Sequence, residues 1–290
     1  MKNKALFFIL GNPRSGTSLL RVMLDSHSHI VSPPESGFLL WWHKKYKDWS
    51  LQDSKNDNKV EEYIADLKTS KKIETWNLDF VEIKKIISKE LPSNYAQLSS
   101  LIYYSYGVNK KKYASAFGDK NNYYLNHIDE ILKIYPNAYF IHLIRDGRDV
   151  ACSYMDLKNL NTNSPYRPDL PSDIREIASA WLANNDKIER SLIKIKNDNK
   201  LLVKYENLIL DTKNELSKIC DFLGLNFDPG MLSYYEKSKE PDTTLDWKRK
   251  TLESPDKNNI NKYLSMLSKT EILGFNSIAK EKLIQYGYEL

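Results

Sequence analysis

Leu6-Phe7-Phe8-Ile9-Leu10 runs into Gly11-Asn12-Pro13-Arg14-Ser15-Gly16-Thr17-Ser18 and then into Leu19-Leu20-Arg21-Val22-Met23. The first five residues are apolar without alternation, which predicts a strand covered on both faces, as in a parallel sheet. Gly11 ends it. From Thr17 to about Ser26, Leu19, Leu20, Val22 and Met23 fall on one side of a helix, so the stretch reads strand, glycine loop, helix. Glycines permit the backbone angles that turn successive N–H groups inward, and the helix that follows adds the positive end of its dipole. A loop of this build, around Ser15, Gly16, Thr17 and Ser18, binds a phosphate or sulfate.

The cation of this loop is misplaced for a nucleoside triphosphate. A Walker loop carries lysine where this chain has Thr17, and the corresponding enzymes hold Mg²⁺ through an acid after another strand. Here the basic group is Arg14, inside the loop, where its planar fork reaches two anionic oxygens. A second unit has the same order: a strand over Ala138–Ile144, the turn Arg145-Asp146-Gly147, and a helix from Asp149 to about Leu157. Arg145 stands where the acid would be, and points to a second anionic group instead of a metal. Ser153, eight residues on, offers its hydroxyl to that same anion from the helix's second turn. Asp146 is read as the helix N-cap.

Outward from these units, Leu201–Val203 reads as a third strand. Ile174, Ile177, Trp181, Ile188, Leu192 and Ile195 mark a long amphipathic helix. A helix from about Lys213 to Leu223 stops at Gly224, as a C-cap glycine predicts. Strands alternating with helices predict an α/β domain, a mainly parallel central sheet with helices on both faces. The stretch from about Gly37 to Val108 looks helical and fits no strand repeat; it is read as a cap within one domain spanning 1–290. Its aromatic stripe Phe38, Trp41, Trp42, Tyr46 and Trp49 has helical spacing and is assigned mostly to core.

Composition excludes other classes. The 290 residues carry 43 Lys and Arg against 38 Asp and Glu, a formal charge of +5, with 41% hydrophobic and 28% charged residues. That segregation suits a folded chain and not a disordered one. The lysines are interspersed with acids, as in Lys44-Lys45-Tyr46-Lys47-Asp48, so no nucleic-acid track is expected. No apolar run approaches the roughly 20 residues that span a bilayer. Ala5–Leu10 is too short for a signal-peptide core, and a cytoplasmic protein without a membrane span is expected. Cys152 and Cys220 lack metal-ligand spacing and are read as small buried hydrophobes.

Two anion sites on one sheet, with Arg-Ser-Gly-Thr in the first loop and Arg-Asp-Gly-Arg-Asp-Val-x-x-Ser in the second, resemble the sulfotransferases that use 3′-phosphoadenosine-5′-phosphosulfate. The likeness covers nearly the whole chain. It implies the P-loop nucleotide-kinase-like sulfotransferase fold with a helical cap insertion, that nucleotide as co-substrate, and no metal. Pro13-Arg14-Ser15-Gly16-Thr17-Ser18 is similar to the family's 5′-phosphosulfate loop, and Arg145 with Ser153 to its 3′-phosphate pair. Trp181 matches a helix Trp of bacterial members, and Tyr205-Glu206-Asn207-Leu208 resembles a segment near the adenine. Trp247 to Lys262 has the position of the loop that closes over the nucleotide, with Arg249, Lys250 and Lys262 as implied contacts. Thr251 stands where the small-molecule branch has glycine.

Arg14 in place of lysine, followed by Leu19 to His27 and Pro33-Pro34-Glu35-Ser36, resembles the protein-tyrosine and related bacterial branch, in which the acid at the Glu35 position is the base. Gly118-Asp119-Lys120 is similar to the segment of the transition-state lysine, although Asn121-Asn122 follow where the family has x-Pro. The resemblance therefore implies Glu35, Arg14 and Lys120 as catalytic groups acting on an acceptor hydroxyl of a sugar, phenol, lipid, small metabolite or peptide tyrosine. His27, His29 and His43 are the alternative bases; His142 is read as core and His127 as surface. An ATP-dependent P-loop kinase and a non-catalytic nucleotide-binding module are the competing functions.

Overall fold

The computed structural model describes residues 5–110, 113–237, 240–241 and 246–290. Five strands, β1 (Ala5–Leu10), β2 (Ile30–Val31), β3 (Ala116–Lys120), β4 (Tyr139–Ile144) and β5 (Lys200–Lys204), form one sheet in the order β2-β3-β1-β4-β5. Every pairing is parallel, and Ile9 of β1 lies between Lys120 of β3 and Ile141 of β4. The helices used below are α1 (Thr17–Asp25), α2 (Asp57–Lys68), α3 (Phe80–Glu90), α4 (Tyr95–Asn109), α5 (Gly147–Lys158), α6 (Ile174–Leu192), α7 (Thr212–Phe222) and α8 (Lys269–Gln285).

The unbroken apolar run of β1 is explained by burial of both its faces. Phe8 and Leu10 join Phe117 and Phe140 in a cluster that continues into the cap through Phe38, Trp76 and Leu98. Phe7 and Ile9 point the other way, into a cluster with Leu20 and Met23 of α1 and Leu216 and Ile219 of α7. Each such side chain contributes roughly 1.5–3 kcal/mol when fully buried, so a polar residue on either face would be costly. Trp181 of α6 and Phe275 of α8 build a third cluster under Ile144 at the end of β4.

Local signals set several ends. Asp146 accepts from the Arg148 N–H at 2.9 Å, so α5 begins at Gly147, two residues before the expected start. At the end of α7 the N–H of Leu225 reaches Cys220 O (2.9 Å) and that of Gly224 reaches Asp221 O (3.0 Å), with Gly224 at φ +70°. This is the Schellman closure that a left-handed glycine permits. The amphipathic helix α6 ends at Leu192, and Ile195 is buried beyond it.

Two strands have no counterpart in the sequence reading. β2 is two residues long, and β3 is Ala-Phe-Gly-Asp-Lys, whose glycine and charges hide it from any apolar pattern. A Cβ on Gly118 would come within 2.2 Å of the Phe7 ring, so only glycine lets the paired Phe7 of β1 fold its ring over β3.

The cap is helical, with α2, α3 and α4 and three single-turn helices before them. Phe38, Tyr46 and Trp49 are core, as their spacing predicts, and Trp42 is half-buried. Trp41 departs from the stripe and is 37% exposed, because the helix Phe38–Trp41 stops there and a new one starts at His43, which breaks the 3.6-residue period. Cys152 and Cys220 are buried and unpaired by disulfide; burial pushes both thiols up to about 11. Among the described residues no helix is long and apolar enough to cross a membrane.

Candidate active site

The carboxyl ends of β1, β3 and β4 open into a cavity of about 590 Å³. This is where the connections from the central strand diverge, the usual ligand crevice of a parallel sheet. The glycine loop after β1 forms its floor. Gly16, at φ +96°, is the N-cap of α1; it supplies no side-chain acceptor, and no acid occupies the first turn. The first N–H groups of α1 and its positive dipole end thus lack side-chain counter-charge, which favours an anion there. Arg14 adopts φ +69°, a region that costs an L-residue roughly 1–2 kcal/mol, and this turn carries its side chain along the cavity.

Arg14 Nε donates to Ser153 Oγ (3.0 Å) and one terminal nitrogen donates to Trp247 O (3.0 Å). Arg145, at the end of β4, donates to Arg14 O (3.3 Å) and Asn259 O (2.5 Å), and its guanidinium carbon lies 4.3 Å from the Tyr205 ring centroid. Trp181 donates to Arg145 O (3.1 Å), which fixes the main chain below. Tyr205 in turn packs on Gly16, where an added Cβ would fall 2.5 Å from the ring. Burial, and then the neighbouring charge of Arg145, push the Arg14 pKa down. Neither arginine joins an ion pair among the described residues, and Arg145 Nε is buried without a partner. Two guanidinium groups held close with donors to spare call for an anionic ligand.

The other end of the cavity is a cluster of lysines around one acid. Lys120, the last residue of β3, donates to Glu35 Oε1; Lys72 Nζ reaches Oε2 at 3.1 Å; Lys248 Nζ stands 3.9 Å from Oε1. Burial pushes the Glu35 carboxyl up, but the three ammonium groups, Lys120 foremost, hold it well below the usual carboxylate range. Lys248 also faces Glu240 at 3.7 Å, which is itself paired with Arg21 of α1. Behind Lys120, Asp119 is fully buried and takes hydrogen bonds from Tyr103 (2.5 Å) and Tyr124 (2.6 Å) on one oxygen. Its other oxygen accepts no well-formed hydrogen bond among the described residues, and burial pushes its pKa up to about 7.

Arg14, Gly16, Thr17, Ser18, Glu35, Lys120, Arg145, Ser153, Tyr205, Arg249, Lys250 and Lys262 all line this one cavity. Ser15 does not: its N–H closes the loop onto Asn12 O (3.1 Å) and its hydroxyl is buried without a partner. Ser153, expected to share an anion with Arg145, takes a hydrogen bond from Arg14 Nε. Lys262 is held over the site because Asp149 accepts from the N–H groups of Asn261 (2.9 Å) and Tyr263 (3.0 Å) on either side of it. Arg249 and Lys250 are exposed at the rim.

None of the alternative histidines lines the cavity. His27 bonds Asn226 O (2.9 Å), His29 bonds Tyr113 O (3.1 Å) and His43 stacks against Tyr95. His142 bonds Asn185 in the core, and burial pushes it down to about 4. Sequence reasoning missed Lys72 and Lys248. Lys248 lies inside the stretch already assigned to the closing loop; Lys72 follows Lys71 in a run that reads as solvated charge, with no local mark of its role.

A sequence profile described as the sulfotransferase family matches residues 7–229. The protein-tyrosine sulfotransferase of Drosophila melanogaster is 25% identical over 236 residues, covering 81% of this chain and 41% of its own. Protein-tyrosine sulfotransferase 1 of Danio rerio is 26% identical over 238 residues, covering 81% of this chain and 57% of its own. The chain thus spans about half the length of these relatives. Among solved structures, the sulfotransferase domain from the curacin biosynthetic pathway superposes with a TM-score of 0.64 at 22% identity over 100% of both chains, so the two share a fold.

Proposed function

Because the chain belongs to the sulfotransferase family, we propose that it transfers the sulfuryl group of 3′-phosphoadenosine-5′-phosphosulfate to an acceptor hydroxyl, with Glu35 as general base. The observation that carries this reading is the meeting, in one cavity, of Glu35 and Lys120 at one end with Arg14, the α1 N-terminus and Arg145 at the other. The residues fit a nucleotide charged at two places. The uncapped helix end and Arg14 suit a 5′-phosphosulfate, while the partnerless Nε of Arg145 suits a 3′-phosphate. Tyr205, Lys262, Arg249 and Lys250 would hold the remainder.

The bound donor supplies an activated sulfuryl group, whose bond to the 5′-phosphate oxygen breaks as the acceptor oxygen bonds to sulfur. Lys120 and Arg14 stabilise the negative charge that gathers on the sulfuryl and leaving oxygens, the largest contribution a site of this kind makes. Glu35 accepts the proton of the attacking hydroxyl, worth roughly 10²- to 10⁴-fold. It is a weak base while Lys120 sits on it, and strengthens as Lys120 turns to the sulfuryl oxygens. Leu157, Leu160, Tyr166, Pro168 and Leu170 also line the cavity, Tyr166 beside Lys72. They support an acceptor whose hydroxyl is carried on an apolar or aromatic body.

Glu35→Gln lowers turnover at least tenfold with little change in affinity for 3′-phosphoadenosine 5′-phosphate. Full turnover in that variant, with His43→Ala inactive, reverses the assignment. Profiling phenols, sugars, lipids and peptides with a labelled sulfuryl donor identifies the acceptor.

A further inference from the structure

Each carboxylate oxygen of Glu35 takes a hydrogen bond from one lysine, Lys120 on Oε1 and Lys72 on Oε2, with Lys248 farther off at 3.9 Å from Oε1, and the two hydrogen-bonded lysines arrive by different routes. Lys120 is the last residue of β3 and is buried. Lys72 comes from the cap, at φ +69°, immediately before the one-turn helix Ile73–Trp76. That turn is clamped to the Glu35 segment from both sides: Trp76 Nε1 donates to Pro34 O (2.9 Å), and Ser36 Oγ donates to Lys71 O (3.3 Å). The Lys72 ammonium also stands 5.2 Å from the Tyr166 ring centroid, and Tyr166 donates to Glu74 Oε1 (2.9 Å) on the same turn. Lys72 is therefore fixed to Glu35 by the scaffold on both sides of it, at a backbone angle that an exposed, purposeless lysine would not maintain.

We propose that Lys72 is a positioning residue, the permanent partner of Glu35, which holds the carboxylate toward the acceptor when Lys120 leaves it for the sulfuryl oxygens. This rests on the reading of Glu35 as base. Without Lys72, a base that lost Lys120 at the moment of transfer would keep only Lys248, which stands 3.9 Å from Oε1 and is shared with Glu240, and among the described residues no lysine would hydrogen-bond the carboxylate to fix its orientation. With Lys72 on Oε2, only Oε1 is released, and Oε1 is the oxygen from which Lys120 departs. The groups that face Glu35 are Lys120 from β3, Lys72 from the cap and Lys248 from the C-terminal segment; Glu240 lies behind them and opposes its ionisation, while Asp119, its pKa raised to about 7, is neutral where Glu35 titrates.

The departure of Lys120 is imitated by Lys120→Met, with Lys120→Gln as the substitute where that variant does not fold. Glu35 is then titrated by ¹³C NMR in protein labelled at the glutamate carboxyls, its signal assigned by loss in Glu35→Gln. In Lys120→Met the midpoint stays below the ordinary glutamate value. Adding Lys72→Met raises it by at least about one pH unit, the size expected for removing an adjacent charge, and Lys72→Arg in its place restores it. A midpoint unmoved by Lys72→Met, or displaced as far by Lys72→Arg, overturns the proposal. Full turnover in Glu35→Gln instead removes the base reading and leaves this titration untouched, so the two failures are distinct.

Discussion

Asp119→Asn tests how the floor beneath Lys120 is held. Asp119 is fully buried, its raised pKa of about 7 is set against an ordinary 3.8, and among the described residues its side-chain hydrogen bonds come from two tyrosine hydroxyls and it joins no ion pair. The folded state therefore holds a proton that the unfolded chain has released. Stability from this group is complete below about pH 4 and is lost as pH rises through 7. The gap of 3.2 units, 7 less 3.8, corresponds to roughly 4 kcal/mol at 1.36 kcal/mol per unit, an upper bound. Asparagine keeps one oxygen for Tyr103 and Tyr124 and carries no charge at any pH. Its amide nitrogen takes the place of the other oxygen and leaves buried donors unsatisfied, at about 1–3 kcal/mol.

The variant is expected to be more stable than the parent by roughly 1–3 kcal/mol at pH 8 and equal or less stable at pH 5. The assay is urea unfolding of both proteins at each pH, compared at matched m-values. Glu35, His142 and the other titrating groups are common to the two proteins and cancel in the difference. The expected change in that difference between the two pH values is about 3 kcal/mol. A difference that stays within about 0.5 kcal/mol from pH 5 to pH 8 refutes the reasoning, and means that Asp119 is ionised in the folded protein throughout.

Arg145→Met removes charge-assisted hydrogen bonds worth roughly 1.5–3 kcal/mol, so affinity for 3′-phosphoadenosine 5′-phosphate falls about 10- to 150-fold. Calorimetry should find the binding of adenosine 5′-phosphosulfate, which lacks the 3′-phosphate, nearly unchanged; a variant that still distinguishes the two nucleotides as the parent does contradicts the assignment. Gly16→Ala forces a Cβ to 2.5 Å from the Tyr205 ring at φ +96°, so it should lower the melting temperature and displace Tyr205 from Arg145. Parental nucleotide affinity in that variant would show that the contact between Gly16 and Tyr205 does not shape the site.

The first strand, its loop and α1 were legible because each is announced by neighbours in the chain: an apolar run, a glycine, a one-sided helix. The unit from Tyr139 to Lys158 was legible for the same reason, and Asp146 even marked its helix start. β3 was not, since it is a strand only because Phe7 covers Gly118 and because burial encloses Asp119 and Lys120, conditions set by β1 across the sheet. Arg14, Glu35, Lys120 and Arg145 were picked out by motif, yet their partners were not. Ser153 went to Arg14, and Glu35 acquired Lys72, a residue 37 positions later in a lysine-rich stretch of no local distinction.

What the amino-acid order determined by itself, then, was the backbone class and where the glycine loop with its arginine would stand, because periodicity, glycine conformation and helix ends act over a few residues. Which charge sits on which oxygen was decided only by tertiary structure. Electrostatic energy depends on separation and burial, and those are set when the cap, β3 and the C-terminal segment close around Glu35 from distant parts of the chain.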